Sequence, residues 1–394
     1  MTGAPMRSPT GVHQDSFISN SINLMQKLTK NPLISVIVLN YNGLRHLKTY
    51  LPSLAATQYE YIELILADNA SDDDSITYVK QHFPQIRMLA LEENYGYCGG
   101  NNRAAAQASG ELLLFLNNDV RVAPNWLNAL PRLFERYDNL AAAQPKILSD
   151  QKPAFFDYAG AAGGKLDRLG YPWCRGRFFD EIEEDKGQYD GYPERLFWAS
   201  GAAFCVRADV FKKAGGFDER FAFHFEEIDL CWRMQRMGHE IRYCPDAVVW
   251  HLGGGSLRTG SARKYYYNFR NSLITLIKNY PANLLFFVLF MRLFTDAAAG
   301  IQLLFSGEKG SHKAVWRAYR DVYRQLPQWL KVRGELSREL PLTDALRGFT
   351  PFSIAWQKLT GRHQPKDDSR SMPFYLVALT FFSTTRSDRG HKDL

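Results

Sequence analysis

The chain is poor in cysteine: five residues in 394 (Cys98, Cys174, Cys205, Cys231 and Cys244), with no CxxC pair. That excludes a disulfide framework and a zinc knuckle and points to reduced thiols in a cytosolic protein. Neither a GxGxxG turn nor a GxxxxGK[ST] loop is present, so dinucleotide hydride transfer and P-loop phosphoryl transfer lose their main support. No apolar stretch spans a membrane cleanly, and no internal repeat or low-complexity tract appears. Residues 1–31 lack a basic segment followed by an apolar one, so a flexible lead-in is expected there and export is not indicated. What is present is ordinary globular composition, 45% hydrophobic and 23% charged, with an aromatic share of 14% that suits binding and interfacial surface.

Charge is lopsided. Residues 1–255 carry 26 Lys/Arg against 31 Asp/Glu, whereas 256–394 carry 22 against 10, which places the net +7 entirely in the C-terminal third. Such a balance suits nucleic acid, anionic lipid or a phosphorylated substrate.

From Pro32 the pattern becomes regular. The β-branched run Leu33–Leu39 ends at Asn40-Tyr41-Asn42-Gly43, and Tyr61–Ala67 ends at Asp68-Asn69-Ala70-Ser71. Helices are expected near 44–56, 75–82 and 101–108, and further strands near 86–91 and 111–116, with a glycine-rich turn at 94–100. This β-α-β-α-β-α-β order predicts an α/β fold with a doubly wound, mostly parallel sheet. Each polar cluster follows the carboxyl end of a strand, where ligands sit in such sheets. Residues 150–200, with many glycines and an acidic patch at 180–185, read as exposed loops or hairpins. Order resumes with a strand at 197–206, helices at 208–214 and 227–237, a strand at 240–244 and a turn ending at Trp250-His251.

Four clusters carry chemistry. Asp68 can accept from a ribose hydroxyl or a base N–H, or cap the following turn. The turn around Gly96, Gly99, Gly100 and Asn101 can offer backbone N–H groups to a diphosphate, or be a plain tight turn. Asn117-Asn118-Asp119 sets one carboxylate past a strand, where a magnesium or manganese ion could use it with phosphate oxygens, or where a turn could; His251 is a candidate second ligand. In His224-Phe225-Glu226-Glu227-Ile228-Asp229, three acids crowd a helix start, either as a charge cluster favoured by the dipole or with one as general base. Asp229 and Arg233, four apart, can pair and leave Glu226 and Glu227 facing a cleft.

The series ISVIVLNYN, ADNASDDDS, ENYGYCGGNN, FLNND, WASGAAFCVRADVFKKAGGFDERF, HFEEIDLCWR and PDAVVWH resembles family-2 inverting glycosyltransferases of the GT-A fold, closest to their rhamnosyltransferase-like branch, over about residues 33–255. The resemblance implies a domain at 32–255, and residue roles within it. Asn40 and Tyr41 would border the nucleotide pocket, with Asp68 on the base or ribose. Gly99, Gly100, Asn101 and Asn118 would line the diphosphate-sugar, and Gly201 and Ala202 the acceptor side. Asp119 would end the family's DxD motif and bind a divalent cation with His251, and Glu227 would be the catalytic base beside Glu226. The chain departs from the family in reading Asn117-Asn118-Asp119 for DxD and Glu226-Glu227 for Glu-Asp. The implied activity is inverting transfer of a sugar, rhamnose first, from a nucleoside-diphosphate donor to a glycan or polyprenyl-linked acceptor at the inner face of a bacterial membrane.

The basic third, 256–394, is expected to be mainly helical. Residues 282–305 are apolar but broken by Arg292 and Asp296 on one face, which favours an interfacial or core helix over a spanning one. Trp316, Tyr319, Tyr323 and Leu326 recur at helical spacing beside Lys313, Arg317, Arg320 and Arg324, either to lie on anionic lipid or to pack on the catalytic domain. Phe374–Phe382 is a further short apolar run. Two competing readings are a processive polysaccharide synthase, for which 233–237 supplies no QxxRW motif, and a nucleic-acid-binding protein, which is not expected.

Overall fold

The computed structural model describes residues 27–178, 181–253, 261–305, 310–340, 349–350, 353, 354 and 357. Most of the expected lead-in, the 255/256 boundary and the run Phe374–Phe382 lie outside the described residues.

The N-terminal half opens with four parallel strands, β1 (Ile34–Asn40), β2 (Ile62–Asp68), β3 (Arg87–Ala90) and β4 (Leu112–Asn117). Helices α1 (Leu44–Ala55), α2 (Ser75–His82) and α3 (Gly96–Gln107) connect them. In β1, Ile34, Val36 and Val38 join one apolar cluster while Ile37 joins the other, so the sheet is covered on both faces and its strands read as unbroken apolar runs. Strand order is β3-β2-β1-β4, and the chain winds outward from β1 in opposite directions. The ends of β1 and β4 therefore flank a topological switch point.

The sheet continues as a mixed one. After β5 (Val120–Val122) and α4 (Ala129–Arg136) comes β6 (Leu140–Ser149), then an insertion carrying β7 (Gly164–Asp167), β8 (Pro172–Cys174), β9 (Arg177–Phe178), β10 (Glu181–Ile182) and β11 (Arg195–Leu196). Next are β12 (Ala203–Arg207), α5 (Ala208–Lys213), α6 (Glu226–Arg236) and β13 (Glu240–His251). β12 is antiparallel to β4 and β6, β13 runs parallel to β6, and β5 pairs with the far end of β13.

Three expectations are corrected. The insertion takes the hairpin alternative, but much of it is buried: β7–β10 form a second, antiparallel run of strands whose glycines are packing sites, since a Cβ on Gly164 would lie 2.2 Å from the Trp198 ring and one on Gly163 2.3 Å from Leu196. The glycine segment 94–100 is not a turn before a helix at 101, because α3 already begins at Gly96. Gly100 is needed where a Cβ would come within 2.5 Å of Leu39 on β1. Finally, β13 does not stop at Cys244; it resumes after an irregularity between Cys244 and Val248 and carries His251 to the sheet edge.

The basic third folds back onto this unit as α7 (Ala262–Asn279), α8 (Ala282–Phe305), α9 (Ser311–Arg324) and α10 (Leu326–Glu339), and β14 (Phe349–Thr350) adds a strand beside β7. Phe349 packs edge-on against Phe197 and Trp232, with ring centroids 4.8 and 5.4 Å away. Arg292 and Asp296 on α8 are buried as an ion pair at 3.0 Å, and Arg292 also donates to Leu169 O and Ser272 Oγ, while Tyr171 and Tyr319 donate to Asp296. The opposite face of α8 is bare, with Phe286 82% and Phe305 81% exposed. By length and composition α8 could cross a bilayer, but the buried pair ties one face of it to the protein. The aromatic stripe of α9 divides: Tyr319 is buried, Trp316 and Tyr323 face outward.

Candidate active site

At the carboxyl edge of the parallel strands, Asn40 lies in register with Asp68, and the end of β4 follows one step on. Asn40 is fully buried and acts as a hub: its Nδ2 donates to Asp68 Oδ2 (3.0 Å) and its Oδ1 accepts from Asn118 Nδ2 (3.0 Å). Asp68 also accepts from the Ser71 amide (2.8 Å) and hydroxyl (2.7 Å). Three of its roughly four lone-pair positions are thus taken, which makes it the carboxylate of an Asx turn as well as a pocket wall. Tyr41, by contrast, stands exposed beside this wall.

Asp119 follows directly. The backbone pairing of His251 with Val120 and the bond from Leu252 N to Asp119 O (3.1 Å) hold the two side chains together, with His251 Nε2 3.3 Å from Asp119 Oδ1. On the other side of the imidazole, Nδ1 lies 3.0 Å from Asp157 Oδ2. Burial acts to lower the pKa of His251, but the bonds to Asp119 and Asp157 outweigh it and raise it to about 10. A ring with a buried carboxylate at each nitrogen marks a place where the fold calls for positive charge. Asp157 gives no local sequence signal, because it meets His251 only across the sheet.

Asp157 leads onward. Ala159 O accepts from Ser200 Oγ (2.9 Å), and Gly201 O accepts from the hydroxyl of Tyr97 (3.0 Å), which enters from α3. A Cβ on Gly201 would lie 2.8 Å from that hydroxyl, so only glycine fits. Ala202 O receives the Asn117 amide (3.1 Å), closing the circuit to β4. Burial, then Glu226 and Glu227, hold the Tyr97 phenol well above its ordinary value, so the acidic pair lies within electrostatic reach of this tyrosine. Cys174 supplies a second link: burial pushes its thiol up to about 11, Arg177 opposes the shift, and Asp157 and Glu227 add to it. Asp157, which bonds His251, and the Glu pair therefore border one region.

The pair itself sits on the first turn of α6. His224 and Phe225, just before it, both adopt left-handed backbone (φ 62° and 72°), a conformation costly for side chains of this size. Asn271 of α7 holds them there, its Nδ2 donating to Phe223 O (2.6 Å) and His224 O (2.9 Å). Behind the pair, Asp229 is buried and bonded to Arg233 (2.9 Å), Lys278 (2.8 Å) and Asn279 (2.8 Å), so it is occupied and leaves the cleft to its neighbours. Glu226 and Glu227 each keep a buried Oε2 without a partner. Burial, and then the Glu227 charge, hold Glu226 well above the carboxylate range; burial raises Glu227 to about 7 against the pull of helix amides. Two carboxyls driven apart in this way suit a neutral group beside a base that titrates near neutrality.

Of the diphosphate candidates, Gly99 and Gly100 lie far enough into α3 for their amides to be committed to helical bonds; the open amides of the first turn belong to Tyr97 and Cys98. Asn101 is fully buried, with Nδ2 on Tyr97 O and Oδ1 unpartnered.

Residues 35–189 match the model of the family Glycosyl transferase family 2. The chain carries a family 2 glycosyl transferase domain. Over 236 residues it is 28% identical to the N-acetylglucosaminyl-diphospho-decaprenol L-rhamnosyltransferase of Mycobacterium tuberculosis, covering 56% of this chain and 76% of that protein. It is 33% identical over 214 residues to the O-antigen biosynthesis protein RfbC of Myxococcus xanthus, 52% of this chain but 16% of that much longer one. The crystal structure of GalNAc-T7 with UDP, GalNAc and Mn2+ superimposes with a TM-score of 0.52 at 16% identity, over 80% of this chain and 59% of that one. Residues 35–189 thus carry a family 2 glycosyl transferase domain, and the fold is shared with that GT-A enzyme. The family match runs through both the parallel half and most of the insertion.

Proposed function

We propose that this enzyme moves a sugar, rhamnose being the first candidate, from a nucleoside-diphosphate donor to a hydroxyl of a lipid-linked glycan with inversion, in building a bacterial surface polysaccharide. The supporting observation is the run of hydrogen bonds and chain neighbours from Asp68 through Asn40, Asn118, Asp119, His251, Asp157, Ala159, Ser200 and Gly201 to Tyr97, whose phenol lies within electrostatic reach of the Glu226–Glu227 pair. The names of the Mycobacterium and Myxococcus relatives favour the same chemistry and a diphospho-lipid acceptor.

The donor nucleoside would lie against Tyr41, Asn40 and Asp68, and its diphosphate beside Asn118, Asp119 and the first turn of α3. Asp119 and His251 would hold a divalent cation, magnesium or manganese, which when bound would neutralise charge on the diphosphate. The donor set fits: oxygen and imidazole nitrogen are 3.3 Å apart, and Asp157 holds the imidazole by its other nitrogen. Among the described residues no third His, Cys, Asp or Glu completes a cage, which leaves phosphate and water to fill the other positions. Glu227 takes the proton from the acceptor hydroxyl as that oxygen bonds to the anomeric carbon and the bond to the diphosphate breaks; Glu226, held neutral, adds no second negative charge. Nothing in this route calls for a covalent sugar–enzyme intermediate.

The test is a panel of nucleotide sugars with manganese or magnesium and a diphospholipid-linked acceptor. Released nucleoside diphosphate identifies the donor, and NMR of the product reads its anomeric configuration. Silence with every donor, or retained configuration, would overturn the proposal.

Peripheral attachment to the inner membrane face is the second part of this reading, carried by the bare apolar face of α8 beside the outward Trp316 and Tyr323 and the cations of α9. The protein is expected to sediment with vesicles containing phosphatidylglycerol and far less with neutral ones, and Phe286→Asp with Phe290→Asp should release it. Equal binding of both proteins to both vesicles would remove α8 from this role.

A further inference from the structure

Most cations of the insertion are neutralised. Lys146 pairs with Asp185 and Asp190, while Lys165 and Arg175 both pair with Glu194. Arg177 and Lys264 differ. Arg177 comes from β9 and Lys264 from the first turn of α7, yet both converge on one ring, Tyr158: the guanidinium carbon is 3.7 Å and the ammonium 5.0 Å from its centroid. Among the described residues no carboxylate lies within ion-pair distance of either. Arg177 donates through Nη1 to Tyr158 O, but its Nε is buried without a partner. His224 adds a third nitrogen, a buried Nε2 without a partner, within electrostatic reach of Lys264. Burial and the nearby Arg177 charge lower the pKa of Lys264, as expected of two like charges held together without an acid between them.

The place of this cluster narrows its use. Tyr158 directly follows Asp157, on the Nδ1 side of His251, while Asp119 lies on the Nε2 side. His224 is two residues before Glu226, and Arg177 and Glu227 act on the same Cys174 thiol. The cations therefore stand next to the base and across the imidazole from the donor's diphosphate. Lys264 also opens α7, whose N-terminal turn adds partial positive charge and whose Tyr267 packs on Phe223 with centroids 5.6 Å apart. Unneutralised cations beside an aromatic ledge suit an anionic group that carries an apolar tail.

We propose that Arg177 and Lys264, bracketing Tyr158 with His224 alongside, form the subsite for the pyrophosphoryl group of a lipid-linked acceptor. This deepens the glycosyltransferase reading above and rests on it for the acceptor's identity. The group is bound and not broken: the acceptor's own diphosphate stays joined to lipid and sugar while a different hydroxyl of that sugar is glycosylated.

Two measurements on the full chain test it. In calorimetry with farnesyl diphosphate and EDTA, which removes any cation-assisted binding at Asp119, the wild-type chain should bind and inorganic pyrophosphate should compete. Lys264→Gln and Arg177→Gln should each weaken binding about tenfold or more, the loss of one charge-assisted contact, while Arg177→Lys should recover part of it. In transfer kinetics, the wild-type enzyme should prefer a prenyl-diphosphate-linked sugar over a plain alkyl glycoside of the same sugar by its KM, and Lys264→Gln should erase that preference. A rise in the donor's KM instead would assign the cluster to the donor and overturn the proposal. Farnesyl diphosphate binding indifferent to both substitutions would overturn it as well. Transfer to the glycoside with no preference for the diphosphate would sink the subsite and leave the glycosyltransferase reading standing. Lys264-dependent binding with no transfer to any acceptor would do the reverse.

Discussion

Glu227→Gln is expected to lower transfer about a thousandfold while leaving donor binding within about twofold of wild type, as for removal of a general base that touches only the acceptor. The amide keeps the shape of the side chain and cannot take a proton. Because burial raises the Glu227 carboxyl to about 7, the wild-type rate should also depend on pH in a definite direction. The working form is the carboxylate, so kcat should climb as pH rises through 7 and fall about tenfold per unit well below it. In the Gln variant that limb should vanish from whatever rate remains. Stopped assays of nucleoside diphosphate release from pH 5.5 to 8.5 would read both effects. Turnover near wild type in the Gln variant would take the base role away from Glu227. Glu226→Gln provides the contrast: Glu226 is already held neutral by burial and the Glu227 charge, so the amide should cost far less.

Asp119→Asn should reduce transfer by at least a hundredfold at fixed manganese, since the one carboxylate ending the Asn117-Asn118-Asp119 segment would be gone and a cation stabilises a departing diphosphate by several kcal/mol. The position makes the loss hard to repair: Asp119 is buried, and His251 opposite it is fixed by backbone pairing on one side and Asp157 on the other. Asp157→Asn should act mainly through His251, weakening the metal dependence about 10- to 100-fold, with excess manganese restoring part of the rate. Manganese titrations of all three proteins, with nucleoside diphosphate release as the readout, separate these cases. An Asp119→Asn enzyme with unchanged activity in EDTA would remove the dyad from the reaction.

The parallel half was legible because its central strands are buried on both faces, so Leu33–Leu39, broken only by Ser35, and Leu112–Leu116 read as apolar runs, each closed by its polar cluster. The pairing of Asp229 with Arg233 was legible because it is local, one helical turn apart. Contacts made across the sheet left no such trace. Asp157 joins His251 over 94 residues, and nothing in the glycine-rich text around it marks it. In the insertion the hairpins were legible but their burial was not: glycines read as exposed turn signals, yet Gly163 and Gly164 are small because Leu196 and Trp198 press on them. Gly100 gives α3 its close approach to β1, a packing demand that the sequence does not separate from a phosphate cradle or a tight turn. Arg177 and Lys264 carry no motif of their own, and Tyr97 sits unremarked among the glycines of ENYGYCGGNN; only the folded chain shows that they share the acidic pair's surroundings.

The left-handed His224-Phe225 step has a wider consequence. Its two carbonyl anchors come from one carboxamide, Asn271, which belongs to the basic third. Helix α7 therefore belongs with the candidate site: a boundary that charge composition draws after residue 255 separates acidic text from basic text, but it cuts through the brace just before Glu226 and Glu227. Because α9 packs along α7, a displacement of these helices would reach the Glu226–Glu227 turn through that single amide group.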